Sequence, residues 1–319
     1  MKLACPSVNR ARQRQAFVLW MLPVLWLATP GISQTAKPPS QTEKSIVDQV
    51  GAALSAGSET GAVQQLRAYR SAKGVTPEYL EAESWLARAE WLSHRYAQAA
   101  QYAQDTYDLS AGLLKSRPLD REPHLPIALG AAIEVLADVL NAQGRRAEAV
   151  SYLEQQEAMY AATSIRPRIR KNLLLLTLDG KPAPALAGVA IPKGQAALVF
   201  FWAHWCGDCK TDIPVLARIK AEFAPKGLKM IFPTQKYGYA AGGVEATPAV
   251  ELAYIERVRQ ALYGGLIGGP TIVNETNFTR YGASTIPTFV LIDRLGIVRL
   301  YHPGVMEYAE LRSAIQRVF

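Results

Sequence analysis

Between residues 45 and 164, apolar positions recur at three- and four-residue spacings, alanine is abundant and β-branched runs are absent. That period belongs to amphipathic helices, so an all-α region is expected there. Beyond about residue 180, short apolar runs alternate with helical spacings, the mark of an α/β unit. Residues 197–202 (ALVFFW) are wholly apolar between polar bounds, as a buried central strand requires, and residues 228–232 predict a second strand. Residues 211–223 put Ile213, Leu216, Ile219 and Phe223 on one side of a helix, and residues 250–263 predict another. Residues 289–293 and 297–301, joined by Arg294, Leu295 and Gly296, predict paired strands before a closing helix over 308–318. The sum is a mixed sheet of four or five strands flanked by helices.

The N-terminus has a different character. Arg10, Arg12 and Arg14 precede an apolar run over residues 16–28, and small or polar residues follow, the layout of a secretory signal. The run is short for a bilayer and Pro23 interrupts it, so a signal over 1–33 with cleavage near 33–36 is expected, an uncleaved anchor being the lesser alternative. No membrane span is then expected in the mature chain. Residues 34–44 read as a polar leader. Cys5 departs with the signal, which leaves two cysteines.

Charge changes the picture little. Lys2 and the three arginines carry four of the formal +8, and the remaining excess has no Lys/Arg cluster interleaved with aromatics, so nucleic acid is not an expected partner. Within the helical region two segments are similar to tetratricopeptide helix pairs: Leu86 and Ala87 followed by Tyr96, Ala99 and Tyr102, then Leu136 and Ala137 followed by Gly144, Ala147 and Ala149. The turn positions His94 and Gly144 are 50 residues apart against the usual figure of about 34, with an insertion around residues 116–123. The resemblance implies a docking surface for a protein partner; a helical cap packed on the following domain is the equal alternative. Residues 165–180 are expected as the hinge to an α/β domain over 181–319.

Cys206 and Cys209 follow a buried strand and open a helix. Spacing of i and i+3 brings two sulfurs within bonding reach, and unpaired N–H groups at the first turn favour a thiolate at Cys206. Cys206 is therefore the expected nucleophile and Cys209 the resolving thiol. A structural disulfide or half a zinc site are the alternatives. The four histidines, His94, His124, His204 and His302, are not at zinc-finger spacing, and a bridge over so short a loop stabilises little. No metal and no organic cofactor are expected.

Residues 201–210 (FWAHWCGDCK) with Pro214 resemble the thioredoxin active-site segment, and residues 284–293 (STIPTFVLID) resemble the family's cis-proline segment. Residues 180–184 (GKPAP), with the export signal, are similar to the TlpA/ResA-like branch of thiol–disulfide oxidoreductases. The likeness covers residues 175–319 and implies a thioredoxin-like α/β fold. It also implies a cis Ile286–Pro287 bond facing Cys206, with Trp205, Ile286 and Pro287 receiving an extended client chain.

Three departures stand out. Phe200 occupies the place of thioredoxin's buried aspartate, so another group or water must take the resolving thiol's proton, with Glu245 as a candidate. Gly207 and Asp208 separate the cysteines, and the Asp208 carboxylate opposes a thiolate, which leans the protein towards reducing its partners. Residues 233–277 exceed a minimal thioredoxin, and residues 234–243 read as a flexible aromatic loop beside the site. His204 and Lys210 flank the pair and read as solvated.

The expectation is a periplasmic or otherwise extracytoplasmic thiol–disulfide oxidoreductase. Its partners are cysteine-containing client proteins and an upstream thiol electron donor. A net disulfide-forming oxidant, and an adaptor whose helical region does the main work, are the rivals.

Overall fold

The structure, a computed structural model, describes residues 44–319. The expected signal and nearly all of the leader lie outside the described residues.

Seven helices come first: α1 (Ile46–Ser55), α2 (Glu59–Lys73), α3 (Pro77–Leu92), α4 (Tyr96–Leu114), α5 (Leu125–Ala142), α6 (Arg146–Met159) and α7 (Arg166–Thr177). Their starts follow local chemistry. The Ser45 hydroxyl accepts the Asp48 N–H at 3.0 Å, and Thr76 accepts that of Tyr79 at 3.1 Å ahead of Pro77. The two turn positions singled out in the sequence, His94 and Gly144, are both left-handed, at φ 58° and 78°.

Small side chains let α3, α4 and α5 approach closely, with Ala87, Ala99 and Ala103 packed on Val135 and Val139. Helix α5 is long and apolar enough to cross a membrane by length and composition, yet Leu125, Leu129 and Ile133 are wholly buried in the helical core. Each such side chain contributes about 1.5–3 kcal/mol of burial.

The α/β part contains β1 (Ala197–Phe201), α8 (Gly207–Thr211), α9 (Ile213–Phe223), β2 (Lys229–Ile231), β3 (Pro233–Thr234), α10 (Pro248–Tyr263), β4 (Ile272–Val273), α11 (Glu275–Tyr281), β5 (Thr288–Ile292), β6 (Val298–Pro303) and α12 (Tyr308–Gln316). Four strands form one sheet in the order β2-β1-β5-β6, parallel between β1 and β2 and antiparallel elsewhere, while β3 and β4 make a separate parallel ribbon. The sheet thus has the lower of the two expected strand counts.

Strand alternation divides the core. Leu198, Phe200, Phe289 and Leu291 face Leu216, Phe223, Ile255 and Leu311 of α9, α10 and α12. Ala197, Val199, Phe201 and Val290 face the other way, onto Phe278 and Tyr281 of α11 and Leu174 of α7.

Helix α7, within the stretch expected as a hinge, belongs to both cores. Ile169 and Leu173 sit with the helical bundle, whereas Leu174 and the following Leu178 pack under the sheet. At Gly282 (φ 55°) an added Cβ would lie 2.6 Å from the Lys171 backbone nitrogen, so α7 and the chain leading to Pro287 touch backbone to backbone.

Candidate active site

Strand β1 runs straight into the cysteines, and its exit is held on both sides. The Trp202 indole N–H donates to the Phe232 carbonyl at 3.1 Å, and the Thr234 hydroxyl donates to the Trp202 carbonyl at 2.7 Å. The chain bends over residues 203–205 and Cys206 becomes the N-cap of α8, where its sulfur accepts the Cys209 N–H at 3.0 Å. That is the place where a helix leaves donors unpaired. Cys206 and Cys209 are joined as a disulfide, with Cα atoms 5.3 Å apart. Both are buried, while Trp205, Asp208 and Lys210 are exposed.

The Ile286–Pro287 bond is cis, and the Ile286 carbonyl oxygen lies 3.7 Å from the Cys206 sulfur. Flanking bonds hold this segment: the Gly304 N–H donates to the Pro287 carbonyl at 2.7 Å, and the Thr288 hydroxyl to the Thr285 carbonyl at 2.6 Å. Of the residues expected at the site, Cys206, Cys209 and Ile286 therefore converge. Trp205 stands on the rim with its ring edge-on to Tyr237, 5.3 Å between centroids.

The surroundings of the pair differ from the expected ones at Glu245, at His204 and in the loop over 234–243. Glu245 is exposed on the surface limb of its loop, bridged to Tyr239, so it is not buried with the cysteines. The buried carboxylate nearest the pair along the helix is Asp212, one helical turn beyond Cys209 and 3% exposed. Burial first, with the Asp208 and Glu307 charges adding, pushes its carboxyl up to about 7, against one backbone hydrogen bond from Met306. Its Oδ2 and the buried Tyr263 hydroxyl have no hydrogen-bond partner among the described residues. Helical spacing from Cys209 was the signal that could have found it.

His204 is 1% exposed rather than solvated. Its Nε2 lies 2.8 Å from the Tyr239 carbonyl and so carries the hydrogen, and the rings of Tyr237, Tyr239 and Tyr254 surround it with centroids 5.4–5.8 Å away. Burial holds its pKa below the ordinary histidine value, although the Glu251 charge opposes this.

The loop over 234–243 is tied down as well. Glu251, buried on α10, accepts the Tyr237 N–H at 2.5 Å and the Gly238 N–H at 3.0 Å. Two backbone N–H groups satisfy a buried carboxylate and fix the chain that carries Tyr237 against Trp205. Glu251 carries no local signature, because its partners lie 13 and 14 residues away in a loop. Among the described residues no group of three or more His, Cys, Asp or Glu side chains is arranged to hold a metal ion.

No family model matches the chain. Among curated proteins it is similar to the thioredoxin-like protein YneN of Bacillus subtilis, 23% identical over 124 residues, 39% of this chain. The match spans 65% of that relative's length. Among solved structures it is similar to a putative thiol:disulfide interchange protein DsbE from Chlorobium tepidum, at 21% identity and TM-score 0.32, over 40% of this chain and 81% of the other. It is also similar to StoA from Bacillus subtilis, at 21% identity and TM-score 0.30, over 39% and 84%. By sheet order, and in keeping with its likeness to the curated relative, the C-terminal α/β region carries a thioredoxin-like fold.

Proposed function

We propose that the chain is an exported thiol–disulfide oxidoreductase that reduces or exchanges disulfides in extracytoplasmic proteins, with Cys206 as nucleophile and Cys209 as resolving thiol. The observation that carries this reading is the bonded pair itself, whose first sulfur caps a helix and faces the Ile286 carbonyl 3.7 Å away. Export rests on the basic and apolar pattern of residues 10–28.

In the reducing direction the Cys206 thiolate attacks one sulfur of a client disulfide. The client's other sulfur leaves as a thiolate and takes up a proton, and a mixed disulfide remains. Cys209 then loses its proton and attacks the Cys206 sulfur, so the client's second thiol is released and the Cys206–Cys209 bond forms. Two electrons pass to the client, and an upstream dithiol returns them. Asp212, with its carboxyl near 7 and one oxygen unpartnered, suits the role of accepting the Cys209 proton. Trp205, Ile286 and Pro287 would receive the client backbone beside Cys206.

Reduction of insulin by the mature protein tests this reading. The wild type should catalyse it, Cys206→Ser should fall to background, and Cys209→Ser should accumulate clients as mixed disulfides. A wild-type chain without activity, or a Cys206→Ser variant that keeps it, sinks the proposal. The redox potential of the pair separates a reductant from a net oxidant.

A further inference from the structure

Between the helical bundle and the chain leading to Pro287 lies an open cavity of about 330 Å³, lined by Arg88, Glu134, Arg168, Lys171, Ser284 and Thr285. Three cations surround one carboxylate. Glu134 takes Arg168 Nε at 2.9 Å, Lys171 Nζ at 3.1 Å, Asn172 Nδ2 at 3.2 Å and a hydrogen bond from Arg88. Burial alone would raise its carboxyl, but Arg168, Lys171 and Arg88 together hold it down at about 2, so Glu134 is charged, with both oxygens held. The neighbouring Asp138 is pushed up to about 6 by burial and by Glu134 and offsets the cations only in part.

The excess is positive and within reach of a ligand. The Arg88 side chain is 47% exposed and that of Arg168 25%, and Arg88 spends one of its five N–H donors on Glu134. Arg168 passes over Gly130, where an added Cβ would sit 3.1 Å from its Cδ, so a glycine on α5 makes room for its stem. The cavity's far wall, Ser284 and Thr285, is the chain immediately before Ile286 and Pro287. Backbone contact at Gly282 and Lys171 fixes the spacing between cations and redox centre. On its other side the cavity shares Arg88 and Arg168 with a larger, mainly apolar hollow of about 580 Å³ containing Trp85, Leu92 and Ile127.

We propose that this cavity selects clients by charge: an acidic side chain two to four residues from the target cysteine binds between Arg88 and Arg168 while that cysteine meets Cys206. The inference rests on the oxidoreductase reading and names its substrate class. An extended chain advances about 3.3 Å per residue, so a strand lying along Ile286 and Thr285 carries a neighbouring residue to the cavity mouth. Charge complementarity there acts on client choice and encounter more than on the chemical step. The helical region thereby acts as the specificity element of the redox site.

The test uses the full mature protein and peptides with a single disulfide, bearing Glu or Lys at positions two to four on either side of one cysteine. Hydroxyethyl disulfide, small and neutral, reports the cysteines alone. At low salt the Glu peptide should show about tenfold higher kcat/KM than its Lys counterpart at one or more positions, the ratio shrinking as salt rises. Arg88→Gln should remove most of that ratio and Arg88→Glu reverse it, both leaving hydroxyethyl disulfide turnover within about twofold.

Equal rates for the two peptides, or a ratio that survives both variants, overturns the inference. So does binding of inorganic phosphate at the cavity without discrimination between peptides, which would make it a free-anion site. If the wild type does not turn over hydroxyethyl disulfide, the oxidoreductase reading fails instead. Fluorescence anisotropy with the same labelled peptides then still decides whether Arg88 sets a preference for Glu.

Discussion

Two largely desolvated carboxylates, one in each part of the molecule, are driven in opposite directions. In the helical part Glu134 meets three cations and an amide, and its carboxyl is held at about 2. In the α/β part Asp212 meets one backbone donor and the charges of Asp208 and Glu307, and its carboxyl is pushed up to about 7. Both are desolvated, so the partners decide. A carboxylate with both oxygens held by cations is a fixed anion that organises those cations around it. One with an unpartnered oxygen and a pKa near neutrality is suited to exchanging a proton with a thiol one turn away.

Removing Glu134 should have the largest effect. Glu134→Gln leaves Arg88, Arg168 and Lys171 without their counter-charge and should cost about 3–5 kcal/mol in denaturant unfolding. Because the folded-state pKa is depressed, Glu134 contributes stability above about 4.5 that is lost as pH falls towards about 2, and the Gln variant should lack that acid-side loss. If Glu134→Gln unfolds like the wild type at neutral pH, the cation cluster does not depend on it.

Asp212→Asn comes next. It should slow release of the client from the mixed disulfide by about 10²-fold and abolish a step near pH 7 in the rate profile, measured by stopped-flow turnover. The stability sign is the reverse of that for Glu134. A raised folded-state pKa means that stability falls as pH rises from about 4 to about 7, so the Asn variant should gain stability over wild type at pH 8. An unchanged pH–rate profile would remove Asp212 from proton transfer.

Glu251→Gln should be milder. Replacing one accepting oxygen by an amide breaks one of the two bonds that hold Tyr237 and Gly238, at a cost of about 1–3 kcal/mol. It should also raise KM for peptide disulfides while leaving hydroxyethyl disulfide turnover unchanged, since it loosens the ring packed on Trp205. Smallest is His94→Gly, which relieves a left-handed histidine but loses its contact with Tyr96, and should move stability by less than about 1 kcal/mol.

What the sequence discloses and what it hides follow from the range of the interactions. Strand β1, helix α10 and the β5–β6 pair are plain because each is a run of like residues with a period of its own. The cysteine pair is plain because its spacing and its place between strand and helix are local. Helix α11 and the ribbon of β3 and β4 were missed: seven and two residues give no periodicity, and Phe278 and Tyr281 acquire meaning only beneath Phe201.

The dual role of α7 was hidden for a related reason. Adjacent Leu173 and Leu174 serve different cores, which a run of leucines does not reveal. His204 looked solvated because the tyrosines that bury it lie 33 to 50 positions downstream. Asp212 looks like any polar helix residue, because Met306, whose backbone N–H it accepts, lies far downstream.

The most direct measurement is the pH dependence of alkylation of the reduced protein by iodoacetamide, with the modified cysteine identified by mass spectrometry. A sulfur at the cap of α8 should be labelled first, at Cys206, with a midpoint below the ordinary thiol value of about 8.5, and Cys209 should stay protected until the chain unfolds. Labelling of Cys209 ahead of Cys206, or two thiols inert under native conditions, would contradict the account.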